Sequence, residues 1–208
     1  MYAARDTDPA PVAEAPPGTP PRAEPSDDAL LAAIAGGDRT AFAALARRHA
    51  GRALRLAERV LGNPSDADEV VQEALLKVWT GAARWQPGGA RFSTWFHRVV
   101  LNLCIDRRRR PAHAGLDAAP DLPDGAPPAW ALVSRGQTAR AVARALEELP
   151  ARQRAAVALC YFEERSAAEA AGLLSLSVSA LESLLARARR ALRTRLAGLH
   201  PDIGGDTP

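Results

Sequence analysis

Aromatic side chains make up only 5 % of this 208-residue chain, and β-branched residues are sparse as well. That scarcity speaks against a sheet core, because strands favour those side chains. Cysteine occurs twice, at Cys104 and Cys160, each isolated inside an apolar helical pattern. Both read as buried thiols in a reducing cytoplasm. No apolar run approaches the length of a membrane span, and the N-terminus lacks the charged-then-apolar order of a secretory signal. Membrane insertion is therefore not expected. The four histidines (His49, His97, His113 and His200) are scattered, and no Gly-rich phosphate loop or nucleophile motif is present. No catalytic residue, metal or cofactor is expected, and the protein reads as something other than an enzyme.

What the chain does have is Ala, Leu and Arg. The apolar fraction of 47 % is largely Ala and Leu, both strong helix formers. Lys77 is the only lysine, so arginine supplies nearly all of the 27 basic residues. The net charge of +3 is modest, but the arginines are clustered, and clusters suit an anionic partner.

The chain divides by composition. Residues 1–25 are rich in Pro and Ala and cannot build a core, so they read as a disordered tail. Residues 111–133 hold five prolines, two glycines and three aspartates without helical periodicity, the signature of a linker. Two helical blocks remain, at 26–110 and 134–197, with a short tail at 198–208. The fold expected is all-α: two small helical domains joined by a flexible Pro/Asp-rich linker.

Helix punctuation is legible in both blocks. Ser26 with Asp27 and Asp28 starts a short helix that Gly36-Gly37 ends. Asp38 caps a longer one with an apolar stripe at Phe42, Leu45, Ala46, Ala53, Leu56, Ala57 and Val60. Gly62-Asn63-Pro64 ends it. Ser65 or Asp66 then caps a third helix, with Glu69 completing a capping box after Asp66 and a core face of Val70, Val71, Ala74, Leu75, Val78 and Trp79. A fourth spans about 93–110, with Phe96, Val99, Val100 and Leu103 inward. In the second block a helix at about 136–148 precedes one started by Pro150. Ser166 and Glu169 form a capping-box pattern opening a short helix to Leu174, and Ser175–Ser177 turn into a long helix from about 178 to 197.

Three constellations carry function. The short helix, three-residue turn and long helix at 166–197 have helix-turn-helix proportions, and the long helix is studded with Arg187, Arg189, Arg190, Arg193 and Arg195. Such a helix can place its N-terminal residues at base edges while nearby arginines neutralise phosphates. In the fourth helix, Phe92, Trp95 and Phe96 are interleaved with Arg91, His97 and Arg98, then Asn102 and Arg107–Arg110. Aromatic faces beside arginines suit unstacked, single-stranded bases, although Trp95 and Phe96 equally fit a core. The third helix presents Asp68, Glu69, Gln72 and Glu73 opposite its core, a face poorly suited to phosphates.

In this order, the segments resemble the extracytoplasmic-function class of the sigma-70 family over about 26–197. DADEVVQEALLKVW at 66–79 is similar to the segment that docks on the clamp helices of the polymerase largest subunit. RFSTWFHRVVLNLCIDRRRR at 91–110 is similar to the segment that melts and reads the −10 promoter element. LPARQRAAVALCYFEERSAAEAAGLLSLSVSALESLLARARRAL at 149–192 is similar to the domain that reads the −35 element. The resemblance implies that Asp68, Glu69, Gln72 and Glu73 face core RNA polymerase. It places Arg84, Arg91, Trp95, Arg98, Asn102, Arg107, Arg108, Arg109 and Arg110 along melted promoter DNA, with the loop at 84–91 offering a pocket for a flipped base. It places Ser177, Ser179, Glu182, Ser183, Arg187, Arg189 and Arg190 at the upstream duplex. It also implies an anti-sigma partner, and an acidic tether (Asp117, Asp121, Asp124) that threads the RNA exit path.

Two departures from the family pattern stand out. The turn carries Ser175 where Gly is usual, although that position calls for a positive φ. The recognition helix reads Ala180-Leu181-Glu182-Ser183-Leu184, so Glu182 could accept from cytosine and Leu184 could meet a thymine methyl. Two other functions compete. A stand-alone helix-turn-helix regulator would leave the acidic third helix without purpose. A helical metal-dependent hydrolase built on Asp66, Asp68, Glu69 and Glu73 lacks a Glu-x-x-His pair and a second carboxylate helix.

Overall fold

The computed structural model describes residues 24–109 and 129–197, with only the backbone of 129–137. The expected tails lie almost wholly outside these residues, as does most of the tether with its three aspartates. Among the described residues the fold is helical throughout.

The first block starts where its polar caps dictate. Ser26 Oγ accepts the amide of Ala29 at 3.2 Å and opens α1 (Asp27–Ala35). Asp38 accepts the amides of Thr40 and Ala41 at 2.7 and 3.1 Å and opens α2 (Arg39–Leu61). Hydrogen bonds from the Thr40 hydroxyl and those two amides hold the Asp38 carboxyl below its ordinary pKa. The third helix, α3 (Pro64–Gly81), begins two to three residues earlier than expected. Asn63, rather than Ser65 or Asp66, is its cap, accepting the amides of Ser65 and Asp66, and Pro64 occupies the first helical position. Proline has no amide to satisfy there, so it starts this helix as well as ending α2. A short 3₁₀ turn (Ala82–Arg84) and a loop lead to α4 (Phe92–Arg109).

In the second block, α5 runs from Ala129 to Glu147, so helix begins inside the stretch read as tether. Its first residues, Ala-Trp-Ala-Leu-Val, contain no breaker once Pro127-Pro128 has passed. Next, α6 (Ala151–Val157) widens into a π turn over Ala158–Phe162. The capping box forms as expected at Ser166 and Glu169 and opens α7 (Ala167–Leu174). Ser175 adopts the left-handed conformation, φ 56°, that its position demands, at a cost glycine would not carry. Ser177 then caps α8 (Val178–Leu196), which leaves α7 at 95°.

The core is organised around α2, which packs against α1, α3 and α4. Expected inner residues Phe96 and Val100 of α4 are fully buried, whereas Val99 and Leu103 are only half-buried. The buried set extends instead to Phe92, His97, Leu101, Cys104 and Ile105. The reason is that α4 is covered on a second side, by α6 and α7. Burial raises the Cys104 thiol to about 12, as suits a packing residue.

Candidate nucleic-acid interface

Asp68, Glu69, Gln72 and Glu73 all lie exposed along one side of α3, as their spacing requires. Gln72 donates to Asp68, and Glu73 pairs with Lys77 at 3.2 Å. Leu76 continues the same side and is 60 % exposed, an apolar residue in the middle of a polar surface. Sequence reasoning missed it, although an apolar residue off the core stripe was the available signal. Arg107 reaches across from α4 to Asp66 and Glu69, 2.6 Å from each. It therefore steadies the acidic face in this structure and is not directed along a strand path.

Around the start of α4, Trp85, Phe92, Trp95 and Phe96 form a connected aromatic cluster with neighbouring centroids 5.5–5.9 Å apart. Trp85 Nε1 donates to Asp28 at 2.7 Å, which fixes the loop against α1. Phe96 is fully buried and belongs to the core, while Trp95 keeps part of its surface accessible. A cleft of about 350 Å³ lies beside it, lined among others by Lys77, Thr80, Arg84, Trp85 and Trp95. A second groove of about 420 Å³ runs between the start of α1 and Gly88–Arg91. Aromatic walls with flanking cations are what an extruded base requires.

The remaining candidates on α4 fall into two groups. Arg91, Asn102 and Arg109 are exposed. Arg98 donates to Ser175 Oγ, and Arg108 donates to the carbonyls of Glu147 and Leu149 at 2.6 and 3.2 Å. Both of these thus contact the second block. His97, read in the sequence as part of the basic pattern, is buried. Burial, reinforced by nearby Arg52 and Arg165, pushes its pKa down to about 4, so it is neutral. Arg110 lies outside the described residues.

On α8, Ser177, Ser179, Glu182, Ser183, Arg187, Arg189 and Arg190 are all exposed. They form a polar edge at the N-terminal half followed by cations, as major-groove reading needs. Arg187 Nε donates to the Ser183 carbonyl at 3.2 Å, keeping that guanidinium close to the helix. Leu184 is half-buried and leans on the core, so the outward thymine contact expected of it is not available here.

Comparison with known proteins matches both blocks. The family model for sigma-70 region 2 matches residues 45–113, and that for sigma-70 region 4 matches residues 139–192. The chain is 38 % identical to the ECF RNA polymerase sigma factor SigM of Mycobacterium tuberculosis over 183 residues, covering 88 % of this chain and 90 % of that one. It is 34 % identical to the ECF RNA polymerase sigma factor SigE of Mycolicibacterium smegmatis, covering 84 % and 70 %. Among solved structures, CnrH in complex with the cytosolic domain of CnrY aligns with a TM-score of 0.57 at 31 % identity, covering 83 % of this chain and 97 % of that one.

Proposed function

Because the chain belongs to the sigma-70 family of RNA polymerase subunits, in its extracytoplasmic-function class, we propose that its two helical blocks divide promoter recognition between them. The protein binds core RNA polymerase and directs promoter-specific initiation; it is not an enzyme, and bond formation belongs to the polymerase. The first block docks through the side of α3 bearing Asp68, Glu69, Gln72 and Glu73, with Leu76 as an apolar anchor at its C-terminal end. An exposed leucine beside a row of acids suits a polymerase surface that is basic with an apolar pocket.

The same block takes the downstream element. Trp95 offers a ring to an unstacked base, and the Trp85–Trp95 cleft offers room for one. Arg84, Arg91, Asn102 and Arg109 follow the phosphates. The second block grips the upstream duplex through the exposed edge of α8. There Glu182 selects a base with an exocyclic amino donor, and Arg187, Arg189 and Arg190 neutralise phosphates. Residues 110–128 act as the tether between the two. The work is done in the cytoplasm; no single helix among the described residues is long and apolar enough to cross a membrane. A protein partner that holds the chain inactive is part of this reading, supported by the complex in which CnrH is seen with CnrY.

The observation that carries the proposal is that one chain bears an exposed acidic side on α3, an aromatic cluster with flanking arginines at the start of α4 and an exposed polar and cationic edge on α8. Anisotropy of a labelled promoter duplex tests it. The chain alone binds weakly, and addition of core polymerase brings tight, salt-sensitive binding. Tight binding by a dimer of the chain alone would instead identify a stand-alone regulator.

A further inference from the structure

The loop that leads into α4 is held at one residue. From Gln86 to Arg91 every residue is exposed, whereas Trp85, just before them, is half-buried. The Trp85 ring stands edge-on to Trp95 and to Phe92, with centroids 5.8 Å away and planes at 70° and 74°. An indole carries a single hydrogen-bonding group, its Nε1–H. Here that group donates to Asp28 Oδ1 at 2.7 Å, across 57 residues of sequence.

Asp28 is the second residue of α1, and an acid in a first helical turn is ordinarily explained by the helix dipole. Its surroundings add a second role. Asp27, beside it, accepts from Arg48 Nη1 at 2.6 Å, and His49 Nε2 lies 2.9 Å from its other oxygen, both partners being on α2. The His49 ring in turn stands edge-on to Phe92 at 5.0 Å. Successive helical residues point about 100° apart, so the two carboxylates reach in different directions. One ties α1 to α2, the other ties the loop to α1, and both ties end on the same aromatic cluster.

The consequence falls on the cleft of about 350 Å³ beside Trp95. Leu31, Val78 and Trp95 line it from α1, α3 and α4, and Trp85 is the one lining residue outside a helix or the 3₁₀ turn. A stacking surface binds best when it is ordered beforehand; otherwise fixing the ring offsets part of the gain.

We propose that Asp28 is a positioning residue for base capture: by accepting from Trp85 it orders that indole as a wall of the cleft before an unstacked base arrives. This rests on the reading of the cleft as the place that holds an extruded base, and it extends the site to α1. Asp28 acts by accepting a hydrogen bond and not by its charge, so asparagine can replace it.

Abasic scanning of a chain-dependent promoter, premelted over its downstream element, tests the role through binding by the assembled holoenzyme. In the wild type, one position shows the largest penalty for removal of its base, roughly tenfold or more. Asp28→Ala is expected to weaken binding of the intact promoter several-fold and to shrink the penalty at that position by the same factor, leaving the other penalties unchanged. Asp28→Asn is expected to keep both at wild-type levels. In Trp85→Phe, which lacks the donor, adding Asp28→Ala is expected to cost nothing further. Circular dichroism and polymerase affinity serve as controls. Should Asp28→Ala lose helical signal, Asp28→Ser decides in its place, since serine suits a first helical turn but is too short to reach the indole. If no abasic position costs the wild-type holoenzyme affinity, the cleft reading fails and this role fails with it. A penalty in the wild type that Asp28→Ala leaves unchanged, an Asp28→Asn as impaired as Asp28→Ala, or a further loss on the Trp85→Phe background overturns the positioning role alone.

Discussion

Charge reversal at Glu69 and Glu73 together lowers affinity for core RNA polymerase by roughly a hundredfold, a loss of about 3 kcal/mol, while the helices stay folded. Both side chains are exposed, and their partners are modest. Glu73 meets Lys77 in an i,i+4 pair with both side chains about half exposed, and Glu69 shares Arg107 with Asp66. Surface pairs of this kind contribute at most about 1 kcal/mol each to stability, so the fold survives their loss. At an interface the same carboxylates face a complementary surface with water removed, and reversal adds repulsion to lost attraction. Titration of labelled variant against core polymerase, with circular dichroism as the control, reads both quantities. Wild-type affinity in the double variant would remove α3 from the docking surface.

The second large effect separates two neighbouring aromatics. Phe96→Ala destabilises the first block by about 3–5 kcal/mol, since it empties a fully buried ring position stacked on Phe92 at 5.5 Å. Against a typical total of about 5–15 kcal/mol, that is enough to lower the unfolding midpoint sharply and to abolish initiation indirectly. Trp95→Ala, one residue away, removes a partly accessible ring. It is expected to lower the denaturation midpoint far less than Phe96→Ala does but to reduce promoter opening as strongly as a lost base stack, worth about 1–3 kcal/mol. Permanganate reactivity of melted thymines in the holoenzyme complex measures opening, and chemical denaturation measures stability. Normal opening with Trp95→Ala would place the melted strand elsewhere.

These paired outcomes also mark how far the sequence could be read. The helix-turn-helix was legible because its signals are local: the capping box at Ser166 and Glu169, the positive φ required at Ser175, the cap at Ser177. The polar side of α3 was legible for the same reason, since helical spacing alone puts Asp68, Glu69, Gln72 and Glu73 together. Periodicity shows that a face is buried but not what buries it. Phe96 therefore stood between core and DNA until its packing was seen, and His97 looked like part of a basic pattern when it is a neutral core residue. Arg107 and Arg108 read as strand contacts because they sit in a run of four arginines. One of them is tied to the acidic face and the other to carbonyls of the second block. The bond from Trp85 to Asp28 had no local signal, its partners being 57 residues apart.

The most direct measurement of the central claim is transcription from genomic fragments by core bacterial RNA polymerase, with and without the purified chain. The expected result is a set of discrete start sites that depend on the chain. Their upstream sequences should align at two elements, the farther one showing the base that Glu182 selects. Absence of any chain-dependent start site, with the chain shown to be folded and the polymerase active with another sigma subunit, would contradict it.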